Sequence, residues 1–425
     1  MAARSLRLRE VLVVALVATG LLVWARSLPD PPGASIGDAT RHVVVPPAAS
    51  ALREEALRLY AAGQFPGACD RFRRAAADAG GGMAWREDIG RCFEAWGWQA
   101  LRAGRPDEAA GLFEQGLLET PDVPALLRGR GLAAVHAGRL DEALLPLERS
   151  VAAEFDPHVT LLLARLYDQR DDAKRAMFHL RALLQREPGH EPARRLLAKI
   201  EREERAETGF RRDTTAHFVL KYRGAAHDEA RRAIAHALEI AWQRVGAQLG
   251  YRPAQRITVV LYEDREFRDV TQVHGGVGGL FDGKIRLPLG ATTPAPAPLG
   301  RLVVHEYAHA AIHDLSRGRA PRWLHEGLAQ ALEGTAPDRD LRVPGRLTLA
   351  GLEALVADPE PTRARAGYDI ALWVVSDLLA RGGTDGARAL LGRLAAGDSI
   401  AAAVTRVYTV RLSELESQWR DLLGG

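Results

Sequence analysis

Apolar positions in the first half of the chain fall at helical spacing and then repeat. Phe113 and Leu117 lie one turn apart, and the same pair returns as Leu147 and Val151 and again as Leu180 and Leu184. The polar frame repeats with it. Gly104-Arg105-Pro106-Asp107-Glu108-Ala109 recurs as Gly138-Arg139-Leu140-Asp141-Glu142-Ala143, thirty-four residues later. Gly63 with Ala68 and Phe72 marks an earlier, degenerate copy, and Pro121, Pro157 and Pro188 punctuate the ends of successive helix pairs. A unit of that length is one helical hairpin, which buries its apolar face only by stacking on its neighbours. About four units run from 52 to 188, closed by a charge-rich helix from about 190 to 206. Pro146 falls inside a second helix, where it is expected to kink the chain.

The second half alternates differently. Residues 216–222, 256–262 and 284–289 read as strands, rich in β-branched and aromatic side chains. Between the first two, an amphipathic helix from about 227 to 249 puts Ile234, Leu238, Ala241 and Val245 on one stripe, and Gly250 ends it. The glycines of 275–283 precede the third strand, but their spacing and the lack of a suitable helix after them exclude a phosphate loop. From Pro298 to Leu315 the chain reads as one apolar, buried helix. Gly318 and Pro321 break it, and Trp323 to Leu332 forms a second helix with Pro321 near its first turn.

Chemistry concentrates in those two helices. His305-Glu306-Tyr307-Ala308-His309 places two imidazoles four residues apart on one helical face, able to grip one metal ion, with Glu306 where a general base belongs. Glu326 on the second helix is the expected third ligand. Together with Trp323-Leu324-His325-Glu326-Gly327-Leu328-Ala329-Gln330, the pentapeptide resembles the gluzincin metallopeptidases, in particular the peptidase MA-like domain, over about residues 210 to 425.

The resemblance implies one zinc ion (Zn2+) per chain held by His305, His309 and Glu326. The fourth position is left for a water that Glu306 deprotonates as it attacks a peptide carbonyl. An oxyanion donor besides the metal is also needed, and Tyr368 is the candidate; a lone tyrosine in an apolar helix also reads as a core residue. His325 is the second candidate for that role, and His313 is expected to cap or pack. A strand placed like 284–289 is, in the family, the sheet edge above the metal, to which an extended peptide adds through its main chain; an ordinary hairpin is the competing reading. Two departures stand out. Gln330 occupies the place, one turn after the glutamate ligand, where thermolysin-like proteins carry a histidine-orienting acid. No loop for holding a free N-terminus is found, so exopeptidase activity lacks support.

The period in the first half identifies tetratricopeptide-like hairpins, whose concave surface holds a protein partner or serves as a brace. The fold class is thus an all-α tetratricopeptide-like array followed by an α+β, zincin-like (gluzincin) metallopeptidase domain. Domain boundaries follow as 1–25, a signal peptide or signal-anchor helix; 26–50, a Pro-rich tether; 51–206, the repeats; and 207–425, the metallopeptidase. Arg4, Arg7 and Arg9 precede an apolar stretch over 11–25, shorter than the about twenty residues of a spanning helix. Cleaved or not, that segment puts the rest of the chain outside the cytoplasm, in a bacterial-type cell envelope, with membrane attachment if it is retained. Cys69 and Cys92 fall on neighbouring helices and are either a disulfide or two buried thiols.

Charge changes the picture little. Against 57 basic and 54 acidic residues the net charge is +3, without a basic stripe, so nucleic-acid binding lacks support. The expected function is an extracytoplasmic zinc-dependent peptidase acting on a peptide or protein substrate, with a possible protein partner on the repeats. The alternative is an exported scaffold with a silent or structural zincin domain.

Overall fold

The computed structural model describes residues 46–224, 228–272, 278–289, 296–338, 340–342 and 348–423. The expected export segment and nearly all of the expected tether lie outside them. The described residues fall into two compact units, one of residues 46–167 with Lys174–Arg194, the other of Asp168–Ala173 with residues 195–423.

The first unit is a run of helical hairpins: α1 (Pro47–Ala61) with α2 (Phe65–Asp78), α3 (Met83–Arg102) with α4 (Pro106–Glu119), α5 (Pro124–His136) with α6 (Leu140–Ala153), and α7 (Pro157–Gln169) with α8 (Ala173–Arg186). Because α1 starts at Pro47, the last residues read as tether are helical. Prolines open α1, α4, α5 and α7, where a fixed φ suits the first turn and no donor is lost. The repeating apolar positions build the core: Phe72, Phe113, Leu147 and Leu180 are fully buried. Phe113 meets Trp98 edge-on at 5.2 Å. Burying each such side chain contributes about 2–3 kcal/mol, which a lone hairpin cannot collect. Helix α6 continues through Pro146, so the proline does not end it. Cys69 and Cys92 are joined in a disulfide between α2 and α3.

The second unit is α+β. Helix α9 (Glu191–Ala206) leads into a five-stranded sheet of β1 (Arg211–Thr214), β2 (Phe218–Tyr222), β3 (Ile257–Tyr262), β4 (Leu280–Phe281) and β5 (Ile285–Pro288). The order is β1-β2-β3-β5-β4, with β2, β3 and β5 parallel and β1 and β4 antiparallel to their neighbours. The strand read at 284–289 is therefore β5, inside the sheet and not at its edge. The edge is β4, which with β5 forms a tight hairpin, Phe281 opposite Ile285. Strand β1 carries no apolar alternation (Arg-Arg-Asp-Thr) and pairs only along β2.

Alternation divides the sheet into two faces. Phe218, Leu220, Val259, Leu261, Ile285 and Leu287 share a core with Ile234 and Leu238 of α10 (Asp228–Leu249) and with Val303 and Tyr307 of α12 (Pro296–Ser316). Val260, Tyr262 and Leu280 look the other way, toward Phe267 and Val270 of α11 (Asp264–Thr271). Helices α13 (Arg322–Glu333), α14 (Leu349–Val356), α15 (Pro361–Ala395, broken at Gly383), α16 (Ile400–Tyr408) and α17 (Leu412–Leu423) complete the unit.

Candidate metal centre

Helix α12 is apolar on nearly every side because it is packed on nearly every side. Val303, Tyr307, Ala308, Ala311 and Ile312 are fully enclosed, and the Tyr307 ring meets Phe218 and Tyr251. That enclosure removes His305, Glu306 and His309 from water along with their neighbours. Helix α13 is aimed from both ends. Its first backbone amides, of Arg322 and Trp323, donate to the Glu353 carboxylate of α14 at 3.1 and 3.2 Å, a cap supplied by another helix. Its C-terminus closes at Gly334 in the left-handed region.

The two helices bring His305, His309 and Glu326 together, with one donor atom of each within 4.8 Å of the others. Glu326 Oε2 lies 3.7 Å from His305 Nε2 and 3.8 Å from His309 Nε2. These separations are too long for hydrogen bonds. Two ligands each about 2.0–2.1 Å from a tetrahedral zinc lie about 3.4 Å apart, so the two imidazole–carboxylate separations are within a few tenths of an ångström of a metal's needs. The donor set fits as well: His305 Nε2, both His309 nitrogens and both Glu306 oxygens are buried with no hydrogen-bond partner among the described residues. Leaving such atoms unsatisfied is costly, and a divalent cation is the group that would satisfy the two Nε2 atoms and the carboxylate together.

The electrostatics of the bare residues point the same way. Burial would depress His305, yet Glu326 and Glu333 outweigh it and push the imidazole up to about 10. Burial, with Glu326 and Glu333 nearby, lifts Glu306 to about 8. His309 goes the opposite way, driven well below the ordinary imidazole range by burial and by His305 and His325. The two histidines on one face are thus pushed in opposite directions.

Glu333 escaped the sequence reading. Its Oε2 lies 3.0 Å from His305 Nδ1, and its Oε1 accepts Thr335 Oγ1 at 2.5 Å. It stands two turns after Glu326 on the same helical face, one turn beyond Gln330, where an orienting acid was expected. The signal was present as an acid seven residues after the ligand. Gln330 instead ties α13 to α15, its Nε2 donating to the Glu326 carbonyl at 3.3 Å and to the Tyr368 carbonyl at 3.0 Å. Tyr368 is thereby fixed alongside the ligand helix through its backbone, and its side chain is buried. His325 is also buried, its ring 5.7 Å from that of His309. His313 stays out of the trio and packs edge-on against Phe281.

The hairpin edge closes over Glu306. At Gly279, just before β4, a Cβ would come within 2.6 Å of Glu306 Oε1, so a larger residue there would displace the Glu306 side chain.

The family match falls in the other unit. Residues 94–158 match the tetratricopeptide repeat family, so the helical array contains tetratricopeptide repeats. Among solved structures, MamA of AMB-1 aligns at 17% identity over 37% of this chain and 88% of its own, with a TM-score of 0.27. A thermophilic TPR protein of Thermus thermophilus aligns at 21% identity over 37% of this chain and 82% of its own, with a TM-score of 0.23. No curated protein matches the chain.

Proposed function

We propose that the chain is an extracytoplasmic zinc metallopeptidase of the gluzincin type whose repeats hold a protein partner or the substrate. The observation that carries this reading is the convergence of His305, His309 and Glu326 beside a Glu306 carboxylate that no protein group bonds among the described residues. A bound zinc supplies a water acidified to a pKa of about 7 and a polarised carbonyl. Glu306 accepts the proton of the attacking water and returns it to the leaving amine. Glu333 holds the His305 ring in one orientation, and Tyr368 is the proposed donor to the developing oxyanion. Edge strand β4 offers main-chain groups to an extended peptide, which favours cleavage within unfolded chains of varied sequence.

The disulfide between Cys69 and Cys92 supports an oxidising compartment. The arginine-led apolar N-terminus supports export to the cell envelope, with the membrane as anchor where the segment is retained. No helix among the described residues is long and apolar enough to cross a membrane.

The test is cleavage of unfolded casein by the purified, zinc-loaded chain. The peptidase reading expects cleavage that a chelator stops and that Glu306→Gln abolishes; an inert wild-type protein overturns it. The repeat match over 94–158 favours a second reading, an exported interaction scaffold whose C-terminal unit is silent or holds zinc structurally. An inert protein that still binds a partner through its repeats would select that one.

A further inference from the structure

We propose that Asp171, which forms the turn of the fourth repeat hairpin, is a positioning residue for the β4–β5 hairpin that covers Glu306. The importance of covering Glu306 rests on the metallopeptidase reading; the grip on the hairpin does not.

Asp171 stands where its siblings are glycine. In the first three hairpins the second residue after the first helix is Gly63, Gly104 or Gly138, each with a left-handed φ of 71°, 72° or 75°. After α7 that place falls to Asp171, with a φ of 61°. The left-handed region disfavours any residue with a Cβ, so an aspartate there needs a compensating gain. The gain lies in its carboxylate, which takes Lys221 Nζ at 3.0 Å and Lys284 Nζ at 3.1 Å on one oxygen and Arg212 Nη2 at 2.9 Å on the other. Residues Asp168–Ala173 belong to the same compact unit as residues 195–423, not with the helices on either side of them.

The grip reaches the hairpin at its tip. Lys284 sits at the start of β5 and is almost fully buried. Across the turn, Asp282 is held by Lys199 at 3.0 Å and by Arg286 at 3.2 Å. Gly283 between them lies so close to the end of α7 that a Cβ there would come within 3.0 Å of Gln169 Cγ. Strand β4 has only two residues, so Asp282 at the tip and Gly279 against Glu306 are three residues apart. A lever that short transmits any shift of the tip to the backbone over the carboxylate. Without Asp171, Lys284 keeps only longer contacts, 3.5 Å to Asp168 and 3.7 Å to Glu203, and a buried ammonium is left poorly matched.

The test uses the full chain and amide hydrogen exchange. Asp171→Gly gives the turn the residue its siblings have, preserving the repeat fold while deleting the carboxylate. Asp171→Asn keeps size and turn tolerance and deletes only the charge. The proposal expects amides of residues 280–288 to exchange at least about tenfold faster in both variants while those of α3 to α6 hold their rates. Adding Lys284→Met to Asp171→Gly removes the orphaned charge and should restore part of the protection. Unchanged exchange over 280–288 in both variants overturns the proposal, as does an acceleration spread equally through α3 to α6. If the wild-type chain takes up no zinc, the metallopeptidase reading fails separately, and the exchange result still decides this one.

Discussion

Arg286 and Ile285 are neighbours on β5, and they look onto two different ways of burying charge. Around Arg286 the acids meet bases: Glu203 at 2.9 Å and Asp282 at 3.2 Å, with Lys199 a further 3.0 Å from Asp282. Ile285 packs instead in the core shared with α12, the helix that carries His305, Glu306 and His309. There the carboxylates meet imidazoles, and the Glu306 oxygens meet no partner among the described residues. Each ion removed from water costs several kcal/mol; in the first arrangement every acid faces a lysine or arginine, although Asp282 Oδ1 and Glu203 Oε2 accept no hydrogen bond, whereas no lysine or arginine pairs with Glu306 among the described residues. The difference separates charges matched by opposite charges from a group whose donor set suits a cation.

The comparison can be broken at several points. On the metal side, Glu306→Gln should cut peptide turnover by about a thousandfold, roughly 4 kcal/mol in activation free energy, while zinc content stays at the wild-type level. On the paired side, Arg286→Met leaves Asp282 and Glu203 short of a cation and should destabilise the C-terminal unit by about 3–5 kcal/mol in urea unfolding. A cost under about 1 kcal/mol would mean the pairs are incidental.

The pH dependence of this network has a definite sign. Burial would raise the Asp282 carboxyl, but Arg286 and Lys199 outweigh it and hold it well below the usual range. A depressed acid contributes stability above its unfolded pKa of about 4 and loses it as pH falls below that value. Arg286→Met should flatten this acid limb of the stability curve.

Two smaller effects sharpen the contrast. Reducing the Cys69–Cys92 bridge should cost the repeat unit about 3 kcal/mol and leave zinc binding untouched. Glu333→Gln should weaken zinc binding by about 10- to 100-fold, measured by competition with a chromogenic chelator; an unchanged affinity would remove Glu333 from the site.

Legibility followed the distance along the chain over which each feature is decided. The hairpins were readable because their periodicity is local: Phe113, Leu147 and Leu180 recur at nearly constant spacing and are all buried. The two short helices that bring His305, His309 and Glu326 together were readable for the same reason. Glu333 was missed by one helical turn. The place of β5 inside the sheet was missed because its edge partner β4 is two residues long and leaves no pattern. Strand β1 escaped because its sequence is wholly polar. Asp171 and Lys284 lie far apart in sequence, so nothing local announces that a repeat turn supplies the counter-charge for a buried lysine. For the same reason, a boundary drawn at 207 leaves out Asp168, Asp171, Lys199 and Glu203, all of which pair within the C-terminal unit.

The metal centre itself is tested most directly by metal analysis of the full chain after gentle isolation. The account predicts one zinc per wild-type chain and none in either His309→Ala or Glu326→Ala. A wild-type chain that is metal-free and stays so when zinc is added would contradict it.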